Sequence, residues 1–162
     1  MTTTDIATPY KIAAGSGIAD LWWKTGRVAV KASGAETGGA FAQVEIDDPL
    51  GSAPPLHIHH GEDETFYVLE GRVDFRLDDG LVTAGSGDFV NIPRGRVHNF
   101  HNATQDVARL ILTFTPAGIE RFFEETLERV ADPTVPQPDN VADVAARYAE
   151  AGPRYGIKFL TS

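Results

Sequence analysis

The stretch that decides the fold is GSAPPLHIHHGEDETFYVLEG, at residues 51–71. Its two prolines favour an extended backbone, so the His-Ile-His that follows is predicted to be a strand. Successive side chains of a strand point to opposite faces, so His57 and His59 point the same way. Glu64 follows after a short acidic turn, at the start of the next predicted strand. The stretch therefore brings two imidazoles and one carboxylate together.

A second stretch, GDFVNIPRGRVHNFHN at residues 87–102, supplies a third imidazole, that of His98. Three imidazoles and a carboxylate are typical ligands of divalent transition metals, and they suit Ni, Fe, Mn, Co, Cu and Zn. The two stretches together predict one such metal site. The ligand types do not choose among these metals.

The chain around these stretches favours a β-rich domain followed by helices. Between residues 21 and 115, short apolar runs that alternate with polar residues are separated by Gly- and Pro-rich turns. After residue 115, apolar residues recur at helical spacing: Ile119, Phe122, Phe123, Leu127 and Val130, then Val141, Val144, Ala145 and Tyr148 after a capping Asn140. We predict an N-terminal arm at 1–20, an antiparallel barrel or jelly roll at 21–115, and a helical extension at 116–162 that packs on the barrel.

Composition narrows the function classes. The chain has 162 residues, no cysteine and a formal net charge of −9. Without cysteine, a thiolate metal site, an iron–sulfur cluster and a cysteine nucleophile are excluded. The acidic balance disfavours nucleic acid and anionic membranes as partners. No long apolar run and no basic-then-apolar leader is visible, so we expect a cytoplasmic protein without a membrane span.

The two stretches resemble the paired signature motifs of the cupin superfamily. The first reads G-x5-H-x-H-x4-E-x6-G, with Gly51, His57, His59, Glu64 and Gly71. The second reads G-x5-P-x-G-x2-H-x3-N, with Gly87, Pro93, Gly95, His98 and Asn102. The resemblance implies an all-β fold, the cupin double-stranded β-helix or jelly-roll barrel. It also implies that His57, His59, Glu64 and His98 are the four protein ligands of one metal inside the barrel.

Within the superfamily, HIHHGEDETFYVLEG and the later FTPAGIERFFEE are similar to small single-domain cupins of the quercetin 2,3-dioxygenase type. This resemblance implies a metal-dependent dioxygenase that takes an aromatic or enolisable substrate and dioxygen, with Glu64 as the catalytic base. Six residues are predicted to line the substrate pocket: Phe66, Phe75, Phe100, Phe114, Phe41 and Gln43. Two alternatives stay open: an isomerase, cyclase or lyase that does not use dioxygen, and a cupin that binds a small molecule without catalysis.

Three further expectations concern residues outside the motif positions. Glu62 and Asp63 are expected to form a solvated acidic turn before Glu64. The outward, apolar Tyr67 and Leu69 favour a homodimer. The helical extension is expected either to cover the barrel or to mediate dimerisation, and we favour packing on the barrel because its apolar stripe must be buried.

Overall fold

The computed structural model describes residues 7–135 and 141–161, and within these ranges it contains eleven strands. They are β1 (Ala19–Trp23), β2 (Gly26–Ala32), β3 (Ala42–Asp48), β4 (His57–His59), β5 (Asp63–Glu70), β6 (Arg72–Leu77), β7 (Gly80–Gly85), β8 (Phe89–Ile92), β9 (Asn99–His101), β10 (Ala108–Thr115) and β11 (Ile157–Phe159). The helices are α1 (Gly34–Thr37), α2 (Ile119–Thr126) and α3 (Val141–Ala151), followed by a 3₁₀ turn (Gly152–Tyr155).

The strands form a larger and a smaller layer, and each described pairing is antiparallel. The larger sheet has the order β1-β2-β3-β10-β5-β8. The smaller layer consists of β7-β6-β9 and of β11-β4. A bridge between His57 and His98 joins these two parts, because each residue donates its backbone N–H to the carbonyl of the other. The strand that carries two predicted ligands thereby lies beside the segment that carries the third.

The two layers pack face to face over one apolar core, because each strand presents alternate residues inward. The ring of Phe66 on β5 contacts Phe75 on β6 and Phe100 on β9, with ring centroids 4.9 Å and 5.4 Å apart. All three side chains are buried. The predicted all-β jelly-roll barrel with a C-terminal helical addition is confirmed.

The C-terminal extension packs on the barrel and adds a strand that the sequence did not predict. Ile119 and Phe122 of α2 are buried, and β11 pairs with β4, with Phe159 opposite His57 and Ile157 opposite His59. The tail after α3 is therefore not helical throughout. The predicted cap, Asn140, lies outside the described residues.

Candidate metal centre and its cavity

Four buried side chains from three parts of the barrel converge on one point. His57 and His59 share the inward face of β4, Glu64 lies on β5, and His98 precedes β9. Their ligand atoms all lie within 4.8 Å of one another. The structure thus brings together the four residues that the sequence predicted as ligands.

Hydrogen bonds to the far side of the rings leave nitrogen lone pairs facing a carboxylate. The Nδ1 atoms of His57 and His98 lie 2.8 Å and 3.0 Å from the carbonyl oxygens of Pro55 and Arg96. A carbonyl only accepts, so each Nδ1 donates a proton, and Nε2 of the neutral ring carries a lone pair. Yet Nε2 of His98 lies 2.8 Å from Oε2 of Glu64. A shared proton satisfies two such atoms at this distance, and a metal ion coordinated by both does so as well, so the donor set fits a metal.

The third imidazole, that of His59, is oriented by the carboxylate of Glu62, which is predicted from the sequence to face solvent. Nδ1 of His59 lies 2.6 Å from Oε1 of Glu62, and Glu62 is only 7% exposed. The expectation of a solvated turn was wrong for Glu62, because the turn folds this carboxylate back against the ring of His59. Asp63 does face solvent and pairs with Arg94. The sequence signal for this contact is the three-residue spacing between His59 and Glu62, which allows the carboxylate to fold back onto the ring across a tight turn.

At His57 and Glu64 the electrostatics favour the protonation states that a metal needs. At His59 burial lowers the pKa, but Glu64 and Glu62 raise it by more, so the net direction there is upward. The pKa of His57 is lowered to about 3, first by burial and then by the neighbouring His98 and His59. Burial raises the pKa of Glu64, but His59 and His98 lower it by more, and the net direction is downward. Metal ligands must be neutral imidazoles and ionised carboxylates. The site therefore holds His57 and Glu64 in their ligating forms.

An apolar cavity of about 40 Å³ borders the cluster. Besides His57, His59 and Glu64, it is lined by Trp23, Val28, Ile46, Pro54, Phe100, Leu112, Phe114, Ile119, Phe122, Phe123, Tyr148, Ile157 and Phe159. Of the six predicted pocket residues, Phe100 and Phe114 line this cavity. Phe66 and Phe75 are fully buried in the core between the sheets and do not reach it.

The other two predicted pocket residues, Phe41 and Gln43, lie on the opposite face of the strand. Ala42, Val44 and Ile46 are the buried residues of this segment, and Ile46 lines the cavity. Phe41 is 37% exposed, and the amide of Gln43 donates to the Thr113 hydroxyl on neighbouring β10. The prediction of an inward Gln43 was wrong because the fully apolar alternate set occupies the interior.

Six of the lining residues come from the C-terminal extension: Ile119, Phe122, Phe123, Tyr148, Ile157 and Phe159. The sequence pattern indicates the apolar stripes of this extension but does not indicate that they line a pocket. The ring of Phe159 contacts His57, with centroids 5.8 Å apart, and the ring of Phe123 contacts Phe114 at 6.1 Å. The extension therefore covers the cluster and supplies a large part of its apolar wall.

Comparison with known proteins agrees with this fold and site. Residues 44–114 match the cupin domain family. The chain is 30% identical to the quercetin 2,3-dioxygenase of Bacillus subtilis over 154 residues, which are 94% of this chain and 44% of that protein. The chain spans about half the length of the curated relatives it matches.

Two solved structures share the fold. An RmlC-like cupin from Shewanella frigidimarina superposes with a TM-score of 0.59 at 18% identity, over 71% of this chain and 96% of that one. A sugar phosphate isomerase of the cupin superfamily from Silicibacter pomeroyi has a TM-score of 0.51 at 24% identity, over 57% and 60% of the two chains. At these identities the likeness concerns the fold alone. None of the described helices is long and apolar enough to cross a membrane.

Proposed function

Because this chain belongs to the cupin superfamily, we propose that it is a metal-dependent dioxygenase that acts on an aromatic or enolisable small molecule. The observation that carries the proposal is the buried cluster of three histidines and Glu64 at the wall of an apolar cavity. The similarity to a quercetin 2,3-dioxygenase supports the same reaction class. An apolar wall suits a flat, apolar substrate better than a sugar acid, which would need cationic or amide groups.

The proposed ligands of the metal are His57, His59, Glu64 and His98. The metal is one of Ni, Fe, Mn, Co, Cu or Zn, since imidazole and carboxylate ligands accept all of these. When bound, such an ion acts as a Lewis acid that stabilises a substrate oxyanion and positions dioxygen.

Glu64 is the group that receives the substrate proton in this proposal. The O–H bond of an enol or phenol breaks, and its proton goes to a carboxylate oxygen of Glu64. The carboxylate is buried, and its lowered pKa keeps it in the ionised form, which has a lone pair that can take the proton. Phe114 and Phe159 lie against ligand histidines and exclude water from the resulting anion. Removal of bulk water strengthens every charge interaction that orients the substrate.

Substrate entry requires movement of the cover. A cavity of about 40 Å³ holds only a few atoms, whereas sites for organic ligands usually enclose roughly 300–1,000 Å³. The barrel strands around the cluster are fixed by their sheet hydrogen bonds. We therefore infer that residues of the C-terminal extension move outward when a ring-sized substrate binds.

The test combines metal analysis with oxygen uptake. Protein purified without added metal is analysed for metal content, and oxygen uptake is followed with flavonols and enediols. We expect one divalent transition metal per chain and substrate-dependent oxygen uptake that Glu64→Gln abolishes. Asp63→Asn is the matched control, because this exposed neighbour contacts Arg94 and not the cluster. Substrate conversion without oxygen uptake would favour the isomerase, cyclase or lyase alternative, and full activity of Glu64→Gln would refute the proposed base.

The homodimer expected from the sequence stays a prediction. Tyr67 is 44% exposed and lies opposite Phe89, which is 62% exposed, on β8 at the edge of the larger sheet. An open edge with apolar side chains is a surface that a second copy can cover. Light scattering of the purified protein should give twice the chain mass, and Phe89→Asp should reduce it to the mass of one chain.

A further inference from the structure

Tyr148 on α3 carries a buried hydroxyl with no hydrogen-bond partner among the described residues. The side chain is 5% exposed and lies among aromatic rings. Its ring centroid is 4.8 Å from that of Phe122, 5.7 Å from that of Phe159 and 6.2 Å from that of Trp23. These three neighbours line the same cavity as Tyr148 itself.

An unpaired buried hydroxyl is unfavourable for folding, because the group leaves water and gains no partner. Phenylalanine would fill nearly the same space without this cost. Burial raises the pKa of Tyr148 well above its usual range, so the group stays neutral and can both donate and accept. The unpaired hydroxyl therefore does not stabilise the fold, whereas a ligand in the cavity would give it a hydrogen-bond partner.

The cavity connects Tyr148 with the metal cluster. Phe159 contacts His57 on one side and Tyr148 on the other, so Tyr148 lies one aromatic ring away from a ligand histidine. A flat molecule that lies along Phe159 has one end at the cluster and its other end near Tyr148. A substrate with an oxygen at each end would use both polar groups.

We propose that Tyr148 is a specificity-determining residue, whose hydroxyl hydrogen-bonds an oxygen on the end of the substrate remote from the histidine cluster. The inference rests on the proposed function and narrows its substrate class to flat aromatic molecules with oxygen at both ends. Tyr148 lies outside residues 44–114, the part of the chain that matches the cupin domain. The residue thus selects the substrate from the extension, while the barrel holds the metal.

The experiment compares Tyr148→Phe with the matched control Tyr155→Phe. The Tyr155 hydroxyl lies 2.5 Å from Oε2 of Glu125 at the surface, and Tyr155 does not line the cavity. Metal-loaded wild type and both variants are titrated with three ligands. One is unsubstituted flavonol, and each of the other two carries one additional hydroxyl, on a different one of the two outer rings. Binding is measured by calorimetry, and melting temperatures are measured without ligand.

Tyr148→Phe should weaken binding of at least one hydroxylated flavonol by about tenfold and leave unsubstituted flavonol unchanged. Its melting temperature without ligand should equal that of wild type or exceed it by up to about 4 °C. Tyr155→Phe should keep wild-type affinities for all three ligands. A smaller affinity difference between hydroxylated and unsubstituted flavonol in Tyr148→Phe than in wild type would identify the Tyr148 hydroxyl as the group that contacts the ligand hydroxyl.

Two results would overturn the inference, and they differ in what else they affect. In the first, Tyr148→Phe binds each flavonol with the affinity of wild type but melts at a lower temperature. This result would assign Tyr148 a structural role and leave the proposed function intact. Absence of binding of all three flavonols to metal-loaded wild type would refute this substrate class and the inference together.

Discussion

Glu62 gives the sharpest test of the site, because it contacts His59, a proposed metal ligand, but is not itself a proposed ligand. Its carboxylate accepts a hydrogen bond from Nδ1 of His59 at 2.6 Å, and both side chains are buried. This contact fixes the ring orientation and leaves Nε2 free to face the cluster. We expect Glu62→Ala to weaken metal binding while the four ligands remain in place.

The size of the effect follows from what each substitution removes. Glu62→Ala loses both the hydrogen bond and the negative charge, and loss of such an orienting partner costs roughly 10–100-fold in metal affinity. That range corresponds to about 1.4–2.7 kcal/mol. Glu62→Gln keeps an acceptor oxygen for Nδ1–H but loses the charge. We therefore expect Glu62→Ala near the upper end of the range and Glu62→Gln near the lower end.

The assay is competition for Co²⁺ or Zn²⁺ with a chromogenic chelator, at a pH where the free protein is folded by circular dichroism. Asp63→Asn serves as the control, because Asp63 is the exposed next residue and pairs with Arg94. The visible spectrum of bound Co²⁺ reports whether His59 still coordinates. Wild-type affinity and an unchanged spectrum in a folded Glu62→Ala variant would refute the role of Glu62, and an equal loss in Asp63→Asn would mean that the turn acts as a whole.

Three further predictions follow from burial and charge. The pKa of Asp48 is raised to about 6, mainly by burial, so its ionised form is less favourable in the folded chain than in the unfolded chain. This loss of folding stability is complete above pH ~6 and disappears as the pH falls below 3.8, the ordinary pKa of the group. Urea denaturation should therefore show Asp48→Asn to be more stable than wild type by up to about 3 kcal/mol above pH ~7, with the gap closing below pH ~4. Phe122→Ala should cost about 3–5 kcal/mol, because this buried ring joins α2 to Tyr148 and Phe159, and hydrogen exchange should show earlier opening of α3. Removal of the metal by a chelator should lower the melting temperature in scanning calorimetry, since a metal at about 1,000 times its dissociation constant adds roughly 4 kcal/mol, and an unchanged value would contradict a buried metal.

The sequence predicted the convergence of three histidines and Glu64 well, because most of the geometry of this cluster is local. Strand alternation alone puts His57 and His59 on one face, and a short turn brings Glu64 beside them. His98 needed the second motif, because it reaches the cluster through a bridge to His57 that spans about forty residues. A short-range pattern contains no information about which distant strand becomes a neighbour.

The cavity wall was harder to predict for the same reason. Phe159 belongs to a strand of three residues, too short for a periodic signal, and its partner β4 lies about one hundred residues earlier. The start of α2 also differs from the predicted boundary: the helical extension is predicted from residue 116, whereas β10 ends at Thr115 and the helix begins at Ile119. The carboxylate of Glu120 accepts hydrogen bonds from the backbone N–H groups of Gly118 and Gly34. The bond from Gly34 is a long-range contact that stabilises this helix start.

The way in which the extension is attached determines which part of it can open. Strand β11 pairs with β4 along its whole length, and backbone bonds from Leu160 to Leu56 and from His60 to Gly156 extend that pairing. Displacement of β11 would therefore break sheet hydrogen bonds and disturb the strand that carries His57 and His59. In contrast, α3 presents mostly exposed side chains and contributes Tyr148 to the cavity by packing. Elements held by few buried contacts open at the lowest free energy. We therefore expect the cover to open at α3 while β11 stays in place. In that case Tyr148, the proposed substrate contact, moves, and the four proposed metal ligands do not.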